Sequence, residues 1–135
     1  MLQKLDKDGY RIVIFSNQAQ IKTALTGKAA TNMKAKIDAV LKAVGIQAAA
    51  FVSTIKADND PYRKPKTGMW EFFCSECNGG VDVDKRKSFY AGDAAGRPQD
   101  FSDSDKEFAK AIGLEFKTPE DMFGASAGQL VPSIA

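Results

Sequence analysis

The sequence predicts an α/β fold with a doubly wound, mainly parallel sheet and helices on both of its faces. Three observations favour this class. Apolar runs with strand character alternate with segments whose apolar residues recur at helical spacing. The run 10–15 is almost continuously apolar, which is typical of a strand buried on both faces. Polar residues suited to binding phosphate follow the predicted strands, where open α/β sheets place their ligands.

The predicted elements alternate along the chain. Residues 2–5 end an amphipathic helix that Gly9 stops, and a strand follows over 10–15. The next helix covers 32–44, where apolar residues recur every three or four positions before Gly45. The remaining predictions are a strand over 49–54, a helix over 67–77, a strand over 88–91, a helix from Ser102 or Ser104 to Ile112, and a short helix opened by Thr118-Pro119-Glu120.

Length and composition fit one domain over residues 1–135. The hydrophobic fraction of 44% is ordinary for a globular protein, and the net charge of +2 does not by itself indicate a nucleic-acid partner. No apolar stretch approaches the roughly 18 residues of a membrane span, and no signal-peptide pattern follows Met1. We therefore expect a soluble, intracellular protein without a membrane partner.

The most informative segment is Gly92-Asp93-Ala94-Ala95-Gly96-Arg97, directly after a predicted strand. An Asp at the exit of a strand, with more carboxylates one loop away, is what a Mg²⁺-assisted phosphate enzyme requires. Ser16 and Asn17 end another strand with a hydroxyl and an amide, and Arg63-Lys64 supplies positive charge. These residues indicate a phosphate site. The structural alternatives are turn residues at 16, 17 and 93 and a surface lysine at 64.

These segments resemble the phosphatase domain of polynucleotide kinase/3'-phosphatase, which belongs to the haloacid dehalogenase superfamily. The resemblance covers nearly the whole chain and rests on motifs in the same order, at residues 8–18, 63–70, 92–97, 100–102 and 118–120. It implies a haloacid-dehalogenase-like fold without a large cap and Mg²⁺-dependent removal of 3'-phosphates from DNA ends during strand-break repair. It also implies a nuclear location and repair-scaffold proteins as partners.

The resemblance also implies roles for individual residues. The Ser16 hydroxyl and the Asn17 backbone N–H would bind the transferring phosphoryl oxygens. Lys64 would neutralise the charge of phosphate and nucleophile, so that Ser16 and Lys64 form the catalytic set. Asp93 would be a direct Mg²⁺ ligand.

Other assignments are less determined by the motifs. Asp105 ranks as the second metal-binding acid because it precedes a helix with the family's spacing, and Asp100 is the alternate. Gln18, Arg63 and Arg97 are the candidate substrate contacts. For Arg97, pairing with the carboxylates is the alternative.

One part of the family pattern is missing, the strand that ends in Asp-x-Asp-Gly-Thr and carries the nucleophilic Asp. Asp6-Lys7-Asp8-Gly9 looks like that motif but follows a helix, and the next strand starts too soon for a parallel crossover of about a dozen residues. We therefore expect the nucleophile strand upstream of Met1, a gap or exposed edge in the sheet, and no turnover by this chain. Residues 19–28 also lack the family's glycine-rich loop.

Two other functions remain open. One is a haloacid dehalogenase phosphatase for a small phosphomonoester, such as a histidinol- or heptose-type phosphate. The other is a non-catalytic module that binds phosphate or nucleic acid. The absence of a large cap favours a nucleic-acid end as the substrate.

Overall fold

The computed structural model of the chain describes residues 2–19, 28–57 and 59–123. Five α-helices, one π-helical turn and four strands follow one another along these residues. In chain order they are α1 (Leu2–Lys7), β1 (Val13–Asn17), α2 (Lys28–Val44), β2 (Ala49–Ser53), α3 (Gly68–Phe72), the π-helical turn (Phe73–Cys77), β3 (Phe89–Ala91), α4 (Ser104–Ile112), β4 (Glu115–Lys117) and α5 (Pro119–Phe123).

The strands form two parallel pairs, β1 with β2 and β3 with β4. The predicted α/β class and the predicted parallel pairing are confirmed. Among the described residues no strand ladder joins the two pairs, so these strands form two separate two-stranded sheets. Aromatic packing connects the two pairs, since the rings of Phe15 on β1 and Tyr90 on β3 lie 6.4 Å apart.

The hydrophobic core contacts both strand pairs. Phe15 is at its centre, with its ring 5.5 Å from that of Phe51 and 5.6 Å from that of Phe108. The buried members of the cluster are Phe15, Met69, Phe73, Phe108 and Ile112. The cluster combines β1, α3, the π-helical turn and α4, and Tyr90 of β3 packs against it.

Glycines end two of the helices as predicted. Gly9 follows α1 with φ +88° and Gly45 follows α2 with φ +76°, backbone conformations that favour glycine over residues with a Cβ. Asp6 and Asp8 therefore lie at the end of a helix rather than after a strand. This placement agrees with the interpretation that the Asp6–Gly9 segment only looks like the nucleophile motif.

Several element bounds differ from the sequence prediction. The first strand begins at Val13 rather than Tyr10, because the Tyr10 N–H still donates to the Leu5 carbonyl and continues the turn after α1. Helix α2 begins at Lys28, four positions before the predicted start at Asn32. Alanine has the highest helix propensity and occupies two of these added positions.

Two further predictions need correction. The helix predicted over 67–77 is α-helical only as far as Phe72 and then widens into the π-helical turn. Neither Ser102 nor Ser104 caps α4 as an N-cap residue, because Asp103 holds that position without a side-chain bond and Ser104 is already helical. Strand β4 was not predicted, because two of its three residues, Glu115 and Lys117, are charged.

The last predicted helix is confirmed, with Pro119 at its first position. Thr118 Oγ1 accepts the Asp121 N–H at 3.2 Å, and Asp121 Oδ2 accepts the Thr118 N–H at 3.0 Å. This reciprocal pair satisfies two backbone donors at the helix start.

The single domain over 1–135 stays a prediction, and residues 124–135 lie outside the described part. Within the described ranges, no helix has the length and apolar character needed to cross a membrane.

Candidate active site

Lys64 is the centre of the candidate site. Only 4% of the residue is exposed, and its Nζ donates to Asp105 Oδ1 at 2.7 Å and to the Tyr90 hydroxyl at 3.1 Å. A lysine is rarely buried this fully unless it is paired. The surface-lysine alternative for Lys64 is therefore wrong.

Asn17 fixes the position of Lys64 from the carboxyl end of β1. Its Nδ2 donates to the Lys64 carbonyl at 3.1 Å, and its Oδ1 accepts the Lys64 N–H at 3.0 Å. The Asn17 side chain thus pairs with both backbone groups of Lys64, as a neighbouring strand would, and holds the 63–65 loop against β1. The sequence suggested a phosphate contact for Asn17 but gave no sign of this clamp.

Asp105 comes from the first turn of α4 and is 2% exposed. Its Oδ1 accepts hydrogen bonds from Lys64 and Tyr90, and its Oδ2 accepts the Ala94 N–H at 3.1 Å. Gly92 allows this close approach, because a Cβ there would overlap the Asp105 carboxyl group. Both carboxylate oxygens are therefore engaged by protein donors.

Asp93 has a different environment. Its Oδ1 is buried and has no hydrogen-bond partner among the described residues. Burial raises the pKa of Asp93, and the charge of Asp105 raises it further. An unpaired, buried carboxylate oxygen of this kind suits a bound cation.

The side chains of the site can provide only part of the coordination shell of Mg²⁺. Within the described ranges, no group of three or more His, Cys, Asp or Glu side chains is arranged to hold a metal. Mg²⁺ commonly keeps several waters and binds through one or two carboxylates plus substrate phosphate. Asp93 Oδ1 can supply one such ligand, whereas Asp105 would first have to release a protein donor.

Asp100 and Arg97 organise the loop after β3. Asp100 Oδ2 accepts from the Ala95 and Arg97 N–H groups and from Arg97 Nε at 2.8 Å, while Oδ1 accepts from Arg97 Nη2 at 3.0 Å. Arg97 also reaches Glu120 at 3.1 Å. The hydrogen bonds from Arg97 hold the pKa of Asp100 below its usual range. The structure thus places Arg97 as a charge partner of carboxylates, the alternative open from the sequence.

The remaining predicted residues lie around the same strand ends. Ser16 is fully buried in β1, and Gln18 Nε2 donates to Ser16 Oγ at 2.9 Å. Arg63 is partly buried beside Lys64. The structure therefore brings Ser16, Asn17, Lys64, Asp93 and Asp105 to one edge of the two strand pairs.

Two residues of this edge were missed from the sequence. The Tyr90 hydroxyl accepts from Lys64, donates to Asp105 and lies 3.4 Å from the Phe15 carbonyl oxygen. Ser53 ends β2 beside Asn17, and its buried Oγ has no partner among the described residues. The signal for Ser53 was a hydroxyl at the end of a predicted strand, the same signal that identified Ser16.

Comparison with known protein families agrees with this geometry. The family described as polynucleotide kinase 3 phosphatase matches residues 1–123, which includes the whole described site. The chain belongs to this family. The resemblance of the motifs is thereby confirmed.

Individual relatives are similar to the chain over most of its length. The polynucleotide 3'-phosphatase ZDP of Arabidopsis thaliana is 39% identical over 131 residues, covering 90% of the chain and 19% of the relative. The bifunctional polynucleotide phosphatase/kinase of Schizosaccharomyces pombe is 38% identical over 122 residues, covering 90% of the chain and 28% of the relative.

A viral protein is also similar. The uncharacterized 20.8 kDa protein in the FGF-VUBI intergenic region of Autographa californica nuclear polyhedrosis virus is 41% identical over 126 residues, covering 88% of the chain and 64% of the relative. The chain thus spans between about a fifth and two thirds of the length of these relatives.

Proposed function

We propose that this chain is the phosphatase part of a polynucleotide 3'-phosphatase, built on a haloacid-dehalogenase-like fold, that removes phosphate from the 3' ends of DNA with Mg²⁺. The observation that carries the proposal is the buried Lys64–Asp105 pair beside the unpaired Asp93 carboxylate, at strand ends within a chain of the polynucleotide kinase 3 phosphatase family. Relatives named as polynucleotide 3'-phosphatases support the substrate class.

Each part of the site has a chemical task in phosphate hydrolysis. The Lys64 ammonium group lowers the cost of bringing an anionic phosphate toward two carboxylates. The Ser16 hydroxyl and the Asn17 N–H are donors for phosphoryl oxygens. When bound at Asp93, Mg²⁺ would shield the charge of the phosphate and polarise it.

We assign the nucleophile to no residue described here. Both Asp105 oxygens are engaged by donors, and Asp93 is the proposed metal ligand. Asp6 lies in the last turn of α1 and Asp8 directly follows that helix, both before the amino-terminal end of β1. The proposal therefore includes an Asp-x-Asp-Gly-Thr strand outside residues 1–135 and no turnover by this chain alone.

Exposed aromatic side chains near cationic residues support a nucleic-acid substrate. Tyr62 is 49% exposed beside Arg63 and Lys64, and Phe101 is 80% exposed directly after the anchored Asp100. Aromatic rings on which bases stack, next to positive charge, are the usual means of binding single-stranded nucleic acid. A nuclear location and repair-scaffold partners follow from this function as further parts of the proposal.

The test is phosphate release from a 3'-phosphorylated oligonucleotide with Mg²⁺, comparing this chain with a longer chain that adds the upstream Asp-x-Asp-Gly-Thr strand. We expect release only by the longer chain and only from the 3'-phosphate. A 5'-phosphorylated oligonucleotide and a set of small phosphomonoesters are the substrate controls. Lys64→Met in the longer chain should abolish release, whereas Lys66→Met at an exposed neighbouring lysine should retain it.

Three outcomes would contradict parts of the proposal. Release by the chain of 135 residues would show that it contains its own nucleophile. Faster release from a small phosphomonoester would favour a different substrate class. No release by either chain, with phosphate or oligonucleotide still bound, would favour a non-catalytic binding module.

A further inference from the structure

The backbone donors of the loop after β3 are all used within the protein. Each of the four consecutive N–H groups of residues 94–97 has an acceptor. In chain order the acceptors are Asp105 Oδ2, Asp100 Oδ2, the Ser102 carbonyl and again Asp100 Oδ2. Glycine-rich loops that bind phosphate direct their N–H groups at the ligand instead. This loop therefore offers an anion none of these four donors.

The loop presents the Asp93 carboxylate with one unpaired oxygen. Asp93 Oδ1 is buried without a hydrogen-bond partner among the described residues. In a turn, an Asp side chain commonly accepts the N–H group two residues further along the chain. For Asp93 that donor is the Ala95 N–H, which instead donates to Asp100 Oδ2 at 3.1 Å and to the Asp93 backbone carbonyl at 3.0 Å. Asp100 thus takes the donor that would otherwise be open to the Asp93 side chain.

Arg97 fixes Asp100 in this position. Arg97 Nε donates to Asp100 Oδ2 at 2.8 Å, and Nη2 donates to Oδ1 at 3.0 Å. Such a two-point contact uses the planar fork of donors that arginine has and lysine lacks. The Asp100 side chain is only 6% exposed, and a carboxylate so far removed from water depends on hydrogen-bonded partners. The Arg97–Asp100 contact therefore determines which acceptor the Ala95 N–H uses.

We propose, on the basis of the proposed function in which Asp93 binds Mg²⁺, that Asp100 is a positioning residue for this cation. By taking the Ala95 N–H, Asp100 leaves Asp93 Oδ1 available to the metal. Asp100 itself does not contact the cation, because its Oδ2 accepts three protein donors and its Oδ1 accepts a fourth. Hydrogen-bonded groups behind a metal ligand commonly orient it in this way.

A direct role of Asp100 as a metal ligand predicts the opposite effect of Arg97. If Asp100 bound Mg²⁺, Arg97 would compete with the cation, and a looser contact would strengthen Mg²⁺ binding. If Asp100 positions Asp93, a looser contact releases the Ala95 N–H to Asp93 and weakens Mg²⁺ binding. Arg97→Lys separates the two cases, because lysine keeps the positive charge but cannot make the two-point contact.

The first measurement is the Mg²⁺ affinity of the unaltered chain and its variants, by isothermal titration calorimetry at neutral pH. We expect Arg97→Lys and Asp100→Ala each to bind Mg²⁺ at least about 10-fold more weakly, the usual effect of removing a group that orients a metal ligand. Glu120→Ala is the matched control, since it removes the second carboxylate that Arg97 contacts, at an exposed site where ion pairs contribute little. Asp103→Ala controls for the loss of a negative charge nearby.

The second measurement is thermal unfolding without divalent cations. Asp93→Asn should raise the melting temperature of the unaltered chain, because it removes a buried carboxylate whose Oδ1 has no partner among the described residues. In the Asp100→Ala chain, Asp93→Asn should raise the melting temperature less, because Asp93 has then gained the Ala95 N–H. An equal rise in both chains would show that Asp93 and Asp100 do not compete for this donor and would overturn the proposal.

The two measurements distinguish this proposal from the proposed function. Stronger Mg²⁺ binding by Arg97→Lys would identify Asp100 as a ligand, and unchanged binding would leave it no role in positioning, so either result overturns the proposal. If Asp100→Ala does not fold, Arg97→Lys takes its place in both measurements. Absence of Mg²⁺ binding by the unaltered chain would contradict the metal site of the proposed function, whereas the melting temperatures would still decide the competition for the Ala95 N–H.

Discussion

The Lys64 ammonium group and the Asp105 carboxylate form a buried ion pair with an Nζ–Oδ1 distance of 2.7 Å. Their side chains are 4% and 3% exposed. Removing either partner leaves an uncompensated charge in the protein interior, which is more costly than loss of the pair itself. The pair is therefore the centre of the proposed phosphate site, and substitution of either partner should destabilise the fold.

We expect Lys64→Met to lower the free energy of unfolding by about 3–5 kcal/mol, the usual cost of breaking a buried pair. The double variant with Asp105→Asn should lose less than the sum of the two single variants. Urea unfolding of the four proteins measures this coupling, and Lys66→Met at an exposed position serves as the control. Strict additivity would show that the two side chains do not interact in solution.

The Tyr90 hydroxyl joins this pair to β1, since it contacts Lys64 Nζ, Asp105 Oδ1 and the Phe15 carbonyl. Burial raises the pKa of Tyr90 well above its usual value, and Asp105 raises it further. Tyr90→Phe should lower the free energy of unfolding by about 1–3 kcal/mol, because it removes the hydroxyl that bonds Lys64 and Asp105 in the interior. Tyr10→Phe, at a residue 40% exposed, is the matched control. Equal effects of the two changes in urea unfolding would refute the bridging role of Tyr90.

The sequence predicted those parts of the fold that residues close to one another in the sequence determine. The left-handed glycines after α1 and α2 were predicted because few other residues adopt that conformation. The parallel pairing followed from the alternation of strands and helices. Strand β4 was missed because its single apolar residue, Phe116, lies between the charged residues Glu115 and Lys117, whereas the equally short β3 is an apolar run and was predicted.

The residues of the site could be predicted from the sequence, but the contacts between them could not. Asp93, Lys64 and Ser16 were identified by residue type next to a strand or a proline. The partnership of Lys64 with Asp105 joins residues 41 positions apart, and no local pattern contains that information. The Asn17 clamp and the Tyr90 hydroxyl likewise depend on how the two strand pairs are placed.

Gly92 leaves room for the Asp105 carboxyl group at the start of the loop that carries Asp93. Its backbone is not in the left-handed region, so the constraint is space and not conformation. We expect Gly92→Ala to displace Asp105 and to cost about 1–3 kcal/mol, as overpacking does in a filled core. Thermal unfolding measures the loss.

Gly79→Ala is an informative comparison. Gly79 has φ +61° and open space around its Cβ position, so its substitution reports backbone strain alone.

A double variant tests whether Gly92→Ala displaces Asp105. When Asp105→Asn is added to the Gly92→Ala chain, it should lower the free energy of unfolding less than it does in the parent chain, because the displaced carboxylate has already lost its partners. An unchanged cost of Asp105→Asn would show that the alanine is accommodated without moving Asp105.

Asp93 links stability, pH and divalent cations. Its pKa is raised by burial and then by Asp105, so the folded state holds the Asp93 proton more tightly than the unfolded state. Ionised Asp93 therefore lowers stability at neutral pH, and this penalty disappears as the pH falls through the raised pKa. Asp93→Asn should raise the melting temperature at pH 7 in the absence of divalent cations.

With Mg²⁺ bound, the parent chain should melt at a higher temperature than Asp93→Asn, the reverse of the order without divalent cations. A cation that binds only the folded state stabilises it by about 1.4 kcal/mol at ten times its dissociation constant, so the parent chain should gain a few degrees in melting temperature at pH 7. Asp93→Asn should gain almost nothing, and Asp103→Asn is the control at a nearby acid. Since Mg²⁺ competes with the proton for Asp93, the gain should shrink as the pH falls through the raised pKa. An equal Mg²⁺ effect on parent and Asp93→Asn chains would exclude Asp93 as the metal ligand.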